Sequence, residues 1–180
     1  MRYRTFTGSD VPRKTLPMSS RSRGRLPTSN LAGPTIKGDD TVTFRPYLAF
    51  AGNCREAFTR YQQIFGGELV LLTMADAPAD AGPPPGAKTD AIMHGALTSG
   101  DDLLMGADDP TGGFDGNVNG MCVNYSVSDA GEAKRVFDAL SDGAQVQVPL
   151  GQTFFSPAFG MCIDRFGTPW MVMAETAAES

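Results

Sequence analysis

Residues 44 to 74 read FRPYLAFAGNCREAFTRYQQIFGGELVLLTM, a strand, a helix and a second strand in succession. Phe44 to Phe50 has the apolar content of a short buried strand, with Pro46 near its start, where a missing N–H is tolerated. Ala51-Gly52 breaks it. Asn53 then caps a helix, with Glu56 three residues on in the place of a capping-box partner. Ala57, Tyr61 and Ile64 share one helical face, and Phe58 and Phe65 stand at its margins. Gly66-Gly67 ends the helix, and Glu68 to Met74 forms the next strand.

Outward from this run, Asp76 to Asp90 is rich in Ala, Pro and Gly and includes Pro83-Pro84-Pro85, so it reads as a loop. Ala91 to Thr98 and Asp102 to Gly106 make two strands, joined as a hairpin by Ser99-Gly100-Asp101. Ala107 to Gly120 is a second, Gly-rich loop. The pattern then restarts. Met121 to Val127 is a strand, Ser128 a cap, and Glu132 to Leu140 a helix with Ala133, Val136, Phe137 and Leu140 on one face. Asp142-Gly143 stops it. Ala144 to Leu150 is a strand, and Phe159 to Asp164 and Thr168 to Ala174 form a last hairpin around Arg165-Phe166-Gly167.

The restart behaves as an internal repeat. At an offset of 76, Glu56-Ala57 falls on Glu132-Ala133, Tyr61 on Phe137, Ile64 on Leu140 and Gly67 on Gly143. Past the Pro-rich loop the offset is about 67, which lays Asp102 to Gly106 over Pro169 to Met173. The expected fold is therefore α+β: two βαβββ modules, at about residues 44–107 and 119–175, within one domain of residues 41–178.

Residues 1–40 stand apart. They carry eight Lys/Arg against three Asp, while the remainder carries seven Lys/Arg against 17 Asp/Glu. The mixture of Arg, Ser, Pro and Gly shows no helical or strand period, so it reads as a disordered basic extension. The alternatives are a targeting segment or an overlong start with Met18 as a second initiator. An acidic domain repels phosphate backbones, which argues against nucleic acid as a partner. No apolar run reaches the roughly 18 residues of a membrane span. Cys54, Cys122 and Cys162 form no CxxC pair and are odd in number, which fits free thiols in a reducing, cytoplasmic setting.

Five fragments in order carry a family resemblance: PYLAFAGNCREAFTRYQQIFGGEL, IMHGAL, LLMGAD, FDALSDGAQVQVPLGQTFF and FGMCIDRFGTPWMV. Together they resemble the PhnB-like group of the vicinal-oxygen-chelate superfamily, which also includes glyoxalase I, fosfomycin- and bleomycin-resistance proteins and extradiol dioxygenases. The resemblance covers residues 44 to 174. It implies strands curled into a U-shaped mixed sheet around a cavity, helices outside, and a homodimer with the cavity completed at or near the interface. Metal-dependent relatives place His, Glu or Gln ligands on the first and last strand of each module. Carried over by strand position, those places fall at Pro46, Leu104, Cys122 and Met171, a set that cannot hold a hard cation, so neither metal nor other cofactor is expected. A methyltransferase reading lacks the doubly wound sheet and its Gly-rich loop.

Strand alternation then assigns a cavity lining. Leu48 and Phe50 follow Pro46, Asn124 and Ser126 follow Cys122, and Met173 follows Met171, with Trp170 turned to the helix side. Phe159 and Met161 are expected to face in, with His94 opposite Met161 and Tyr47 packed under the helices. The ligand-binding set is thus Leu48, Phe50, His94, Leu104, Cys122, Asn124, Phe159, Met161 and Met171. Its polar members are His94 and Asn124, which suits a small, mostly apolar ligand. His94 reads either as a general base or donor or as a satisfied structural residue. Cys122 reads as a nucleophile or a small hydrophobe, and Cys54 as a helix-start thiolate or an inert turn residue. Phe154, Phe155 and Phe159 form a pocket wall, a dimer contact or plain core. Asp109, Asp115 and Asn117 do not match a calcium loop. The expected function is metal-free binding of a small apolar molecule, with metal-independent catalysis by His94 left open. The alternatives are a metal-dependent glyoxalase-like lyase or dioxygenase, and a dimeric interaction domain with a vestigial cavity.

Overall fold

The computed structural model describes residues 44–78 and 86–175. The basic extension, the Pro83-Pro84-Pro85 run and the end of the domain at residue 178 lie outside them. The first module holds β1 (Tyr47–Phe50), α1 (Cys54–Phe65), β2 (Glu68–Thr73), a short 3-10 turn (Met74–Asp76), β3 (Ile92–Ser99) and β4 (Asp102–Asp108). The second holds β5 (Val123–Val127), α2 (Ala130–Leu140), β6 (Gln145–Gly151), β7 (Phe159–Ile163) and β8 (Pro169–Ala174). Strand, helix and three strands thus occur twice, in an α+β fold.

Each module makes its own four-stranded mixed sheet, in the orders β1-β4-β3-β2 and β5-β8-β7-β6. The first strand of each runs parallel to the last, and the other pairs are antiparallel. One backbone bond recurs and sets the repeat: Asp109 N–H donates to Phe50 O, and Glu175 N–H donates to Val127 O. Phe50 therefore matches Val127 and Asp109 matches Glu175, offsets of 77 and 66, one away from each sequence alignment.

The helix starts differ from the sequence reading in their caps. Asn53 makes no side-chain cap bond, and its Oδ1 is buried without a partner. Instead the Cys54 N–H donates to Asp108 Oδ1 at 3.0 Å, and the other oxygen of that carboxylate accepts from Ile92 N–H at 2.7 Å. A buried side chain from β4 thus pins α1 and β3 together. In α2 the cap is Asp129 rather than Ser128, with Oδ1 accepting from Glu132 N–H at 2.7 Å. Gly66 ends α1 at φ 73°, a backbone state that suits glycine.

Both helices pack on one side of their sheets, and a single core joins the modules. Cys54, Ala57, Phe58, Tyr61 and Ile64 of α1 meet Leu48, Phe50 and Leu97, while Ala133, Val136, Phe137 and Leu140 of α2 meet Cys162, Trp170 and Val172. Gly95 and Gly106 let Phe58 lie close: a Cβ on Gly106 would stand 2.8 Å from Leu48 O and 2.9 Å from the Phe58 ring. Across the module junction, Tyr61 Oη donates to Asp164 Oδ2 at 2.6 Å, and the same oxygen accepts from Trp170 Nε1 at 2.9 Å. Among the described residues, no helix is long and apolar enough to cross a membrane.

Candidate functional site

With one face of each sheet under the helices, the opposite face is open. In the first sheet the register sets Tyr47, Met105, Ala96 and Val70 in one row across the strands. The next row brings Ala49 and Ala107 together and His94 beside Leu72. In the second sheet the matching rows are Asn124, Met171, Met161 and Val148, and then Ser126, Met173 and Phe159. Alternation places these side chains opposite the buried Leu48, Leu97, Trp170 and Val172. The open faces are rich in apolar groups. Tyr47 is 52% exposed, Val70 45% and Leu72 40%, well above what a covered sheet face shows.

Two polar pairs interrupt this surface. Tyr47 Oη lies 3.3 Å from His94 Nδ1, and the two rings are tilted at 32° with centroids 5.9 Å apart. Desolvation, and then the nearby Cys54, raise the Tyr47 pKa, so the phenol is a donor at neutral pH. When Tyr47 donates, a neutral His94 accepts at Nδ1 and carries its proton on Nε2. On the second sheet, Asn124 Nδ2 donates to Ser126 Oγ at 2.9 Å.

In the second module the expected residues Asn124, Phe159, Met161 and Met171 share the open face. The first module is shifted by one residue. Leu48 and Phe50 are 5% and 1% exposed and pack under α1. Parallel pairing sets Tyr47 beside Met105 on the open face, so the alternation counted from Pro46 names side chains of the covered face. Leu104 likewise packs against the core from the helix side. Cys122 is half-buried and precedes β5 rather than lying in its row. Tyr47, expected under the helices, faces out beside His94. The register matches Gly95 to Gly160, and hence His94 to Phe159 rather than Met161. Tyr47 and Met105 are the residues that sequence reasoning missed; a one-residue later strand start reveals both.

The same shift bears on metal binding. The facing positions on the first and last strands are Tyr47 with Met105 and Asn124 with Met171. None carries a carboxylate or an imidazole, and such a set does not fit a hard divalent cation. Among the described residues, no three His, Cys, Asp or Glu side chains gather.

Two of the three cysteines, Cys54 and Cys162, are buried and offer little nucleophilic chemistry. Burial, and then the adjacent Asp108 carboxylate, push the Cys54 thiol up to about 12. Burial pushes Cys162 up to about 11. Burial of Cys54 beside the Asp108 carboxylate favours its inert reading over the thiolate one. Asp109 is committed to its own turn, accepting from Thr111 N–H and Phe114 N–H, as Asp115 is to Asn117 N–H. Phe154 is fully exposed and stacks edge-on with Phe155, which meets Phe159, so plain core does not describe this run.

A cleft of about 620 Å³ lies elsewhere, between the lead-in to β1 and the edge strand β5. Leu104 and Asn124 line it, but His94 does not, so the two expected polar handles do not meet in it.

No protein-family model matches the chain. Protein YjdN of Escherichia coli K12 is 32% identical over 136 residues, covering 71% of this chain and 91% of YjdN. The crystal structure of protein PA1353 from Pseudomonas aeruginosa is 40% identical with a TM-score of 0.69, over 76% of this chain and 100% of that one. A PhnB protein from Bacillus cereus, also named a 3-demethylubiquinone-9 3-methyltransferase, shares the fold at 22% identity and a TM-score of 0.57. That match covers 74% of this chain and 99% of the Bacillus protein.

Proposed function

The chain belongs to the PhnB-like group of the vicinal-oxygen-chelate superfamily, and within it we propose that this protein binds a small, largely apolar molecule on the open faces of its sheets, without a metal. One observation carries the reading. The Tyr47–His94 pair sits on an exposed sheet face among alanine, methionine and leucine side chains. Ligand sites are usually apolar with a few convergent polar groups, and this face has that make-up. His94 and Tyr47 are the polar handle of the first sheet, and Asn124 and Ser126 that of the second.

A face this apolar is only half of a cavity, and a second copy of the chain supplies the other half. Removing exposed apolar area from water yields about 25 cal/mol per Å². Val70, Leu72, Phe154 and Phe155, all exposed, are suited to that contact. The proposed unit is therefore a homodimer of a domain spanning residues 41–178, behind a basic extension of residues 1–40. Three free cysteines agree with a cytoplasmic setting.

The pairing of His94 Nδ1 with Tyr47 favours a second reading, in which the other ring nitrogen, Nε2, exchanges a proton with the bound molecule. The two readings separate in one experiment. The full chain is incubated with 2-naphthol, which has an apolar body and one hydroxyl, and its melting is followed beside that of Met171→Glu. Binding predicts stabilisation of the wild type that Met171→Glu abolishes. Equal stabilisation of both, or of neither, contradicts it. Catalysis adds a turned-over product in a substrate screen, lost in His94→Ala with the fold retained.

A further inference from the structure

The cleft between the two modules is a second concave feature, and the open-face reading does not use its core. Its volume of about 620 Å³ falls in the range of small-molecule sites, roughly 300–1,000 Å³. Phe44, Arg45 and Pro46 form one wall and residues 123–126 of β5 the other, with the β3–β4 turn closing an end. The floor is aromatic. Phe65 stacks on Tyr125 at 5.1 Å and on Trp170 at 5.2 Å between ring centroids, and all three rings line the cleft.

The lip carries the opposite chemistry. Asp101, Asp102 and Glu175 line it, all exposed, and among the described lining residues the guanidinium of Arg45 stands against them. Among the described lining residues there is no lysine or histidine. Ring faces attract a cation through their quadrupole, and a carboxylate lip of net negative charge draws the same charge while repelling anions. Neither group favours a phosphate or a carboxylate ligand.

We propose that this cleft, which shares its β5 rim at Asn124 and Ser126 with the open face, is a second binding site, for a compact organic cation with an apolar body, of the aryl- or alkylammonium class. The apolar body rests on the half-buried Phe65 and Tyr125, with the buried Trp170 packed against Phe65, and the ammonium stands between the rings and Asp101, Asp102 and Glu175. His94 and Tyr47 take no part.

Trp170 is the chain's one tryptophan and packs against Phe65 at the cleft floor, so its fluorescence reports occupancy through that contact. The full chain is titrated at low salt with benzyltrimethylammonium, benzyl alcohol and phenylacetate. The expected result is a saturable change with the ammonium alone. The Asp101→Asn/Asp102→Asn double variant weakens it by about fivefold or more, as expected for loss of a partly solvated charge contact. His94→Ala leaves it unchanged, which separates this site from the Tyr47–His94 half of the open face, and circular dichroism checks that each variant is folded. Equal responses to the three probes, ammonium binding indifferent to the double variant, or no saturable response at all would each overturn the proposal.

Discussion

Tyr47 Oη and His94 Nδ1 lie 3.3 Å apart, although 47 positions separate them in the chain. Parallel pairing of β1 with β4, and antiparallel pairing of β4 with β3, put the two residues on one face of one sheet. The pair fixes which nitrogen of His94 looks outward, and so how that face presents itself to a ligand.

Replacing Tyr47 by Phe removes the donor and keeps the ring. In the neutral imidazole, ¹⁵N NMR is expected to show His94 held with its proton on Nε2 in the wild type and as a mixture of tautomers in Tyr47→Phe. The stability cost is small, about 1 kcal/mol or less, as for a single partly exposed hydrogen bond. An unchanged tautomer population would show that Tyr47 does not orient His94.

Asp108 takes the role at the start of α1 that the sequence assigns to Asn53. Asp108→Ala leaves the Cys54 and Ile92 N–H groups without their partner in a buried place, at about 2–4 kcal/mol by urea unfolding. Asn53→Ala costs less than the ~1 kcal/mol typical of a working N-cap, because its side chain makes no cap bond. The reverse order of the two costs would refute this division.

Thiol chemistry tests the burial of the cysteines. At pH 8, alkylation of the folded chain followed by peptide mapping is expected to mark Cys122 first, with Cys54 and Cys162 reacting only on unfolding. Both buried thiols hold their protons longer in the folded state than in the unfolded chain, with pKa values pushed up to about 12 and about 11 from 9.0. Between pH 9 and those values the folded state binds more protons, so stability falls as pH rises through that window. A midpoint of urea unfolding that rises over the same range would contradict the assignment.

The facing set of Tyr47, Met105, Asn124 and Met171 predicts a fold indifferent to metal. Elemental analysis is expected to find far less than one equivalent of Zn, Ni, Mn or Fe, and treatment with EDTA to leave the melting temperature unchanged. Stoichiometric metal, or a chelator-induced drop, would restore the metal-dependent reading.

The architecture is legible in the sequence because it rests on local signals. Apolar spacing along residues 57–65 and 133–140, Gly66-Gly67 and Asp142-Gly143 each act within one element. The open face of the second sheet is legible for a similar reason: Met171 and Met173 alternate with Trp170 and Val172, and a tryptophan marks the covered side. The first sheet offers no such marker. Phe44, Tyr47, Leu48 and Phe50 are all apolar or aromatic, so nothing local tells which begins the strand, and an error of one residue exchanges the faces. Asp108 as the holder of α1 is a contact across 54 positions. The Tyr47–His94 pair likewise arises from strand pairing, which local pattern does not contain.

The most direct test of the account is the position of the ligand on the sheets, read from the methionine methyl groups. Met105, Met161, Met171 and Met173 stand on the open faces, while Met74 is buried away from them. In a ¹³C-methyl-methionine spectrum of the full chain titrated with 2-naphthol, the open-face methyl signals are predicted to shift together and saturably while that of Met74 stays in place. Signals that remain still on the open faces, with or without movement elsewhere, would contradict binding there.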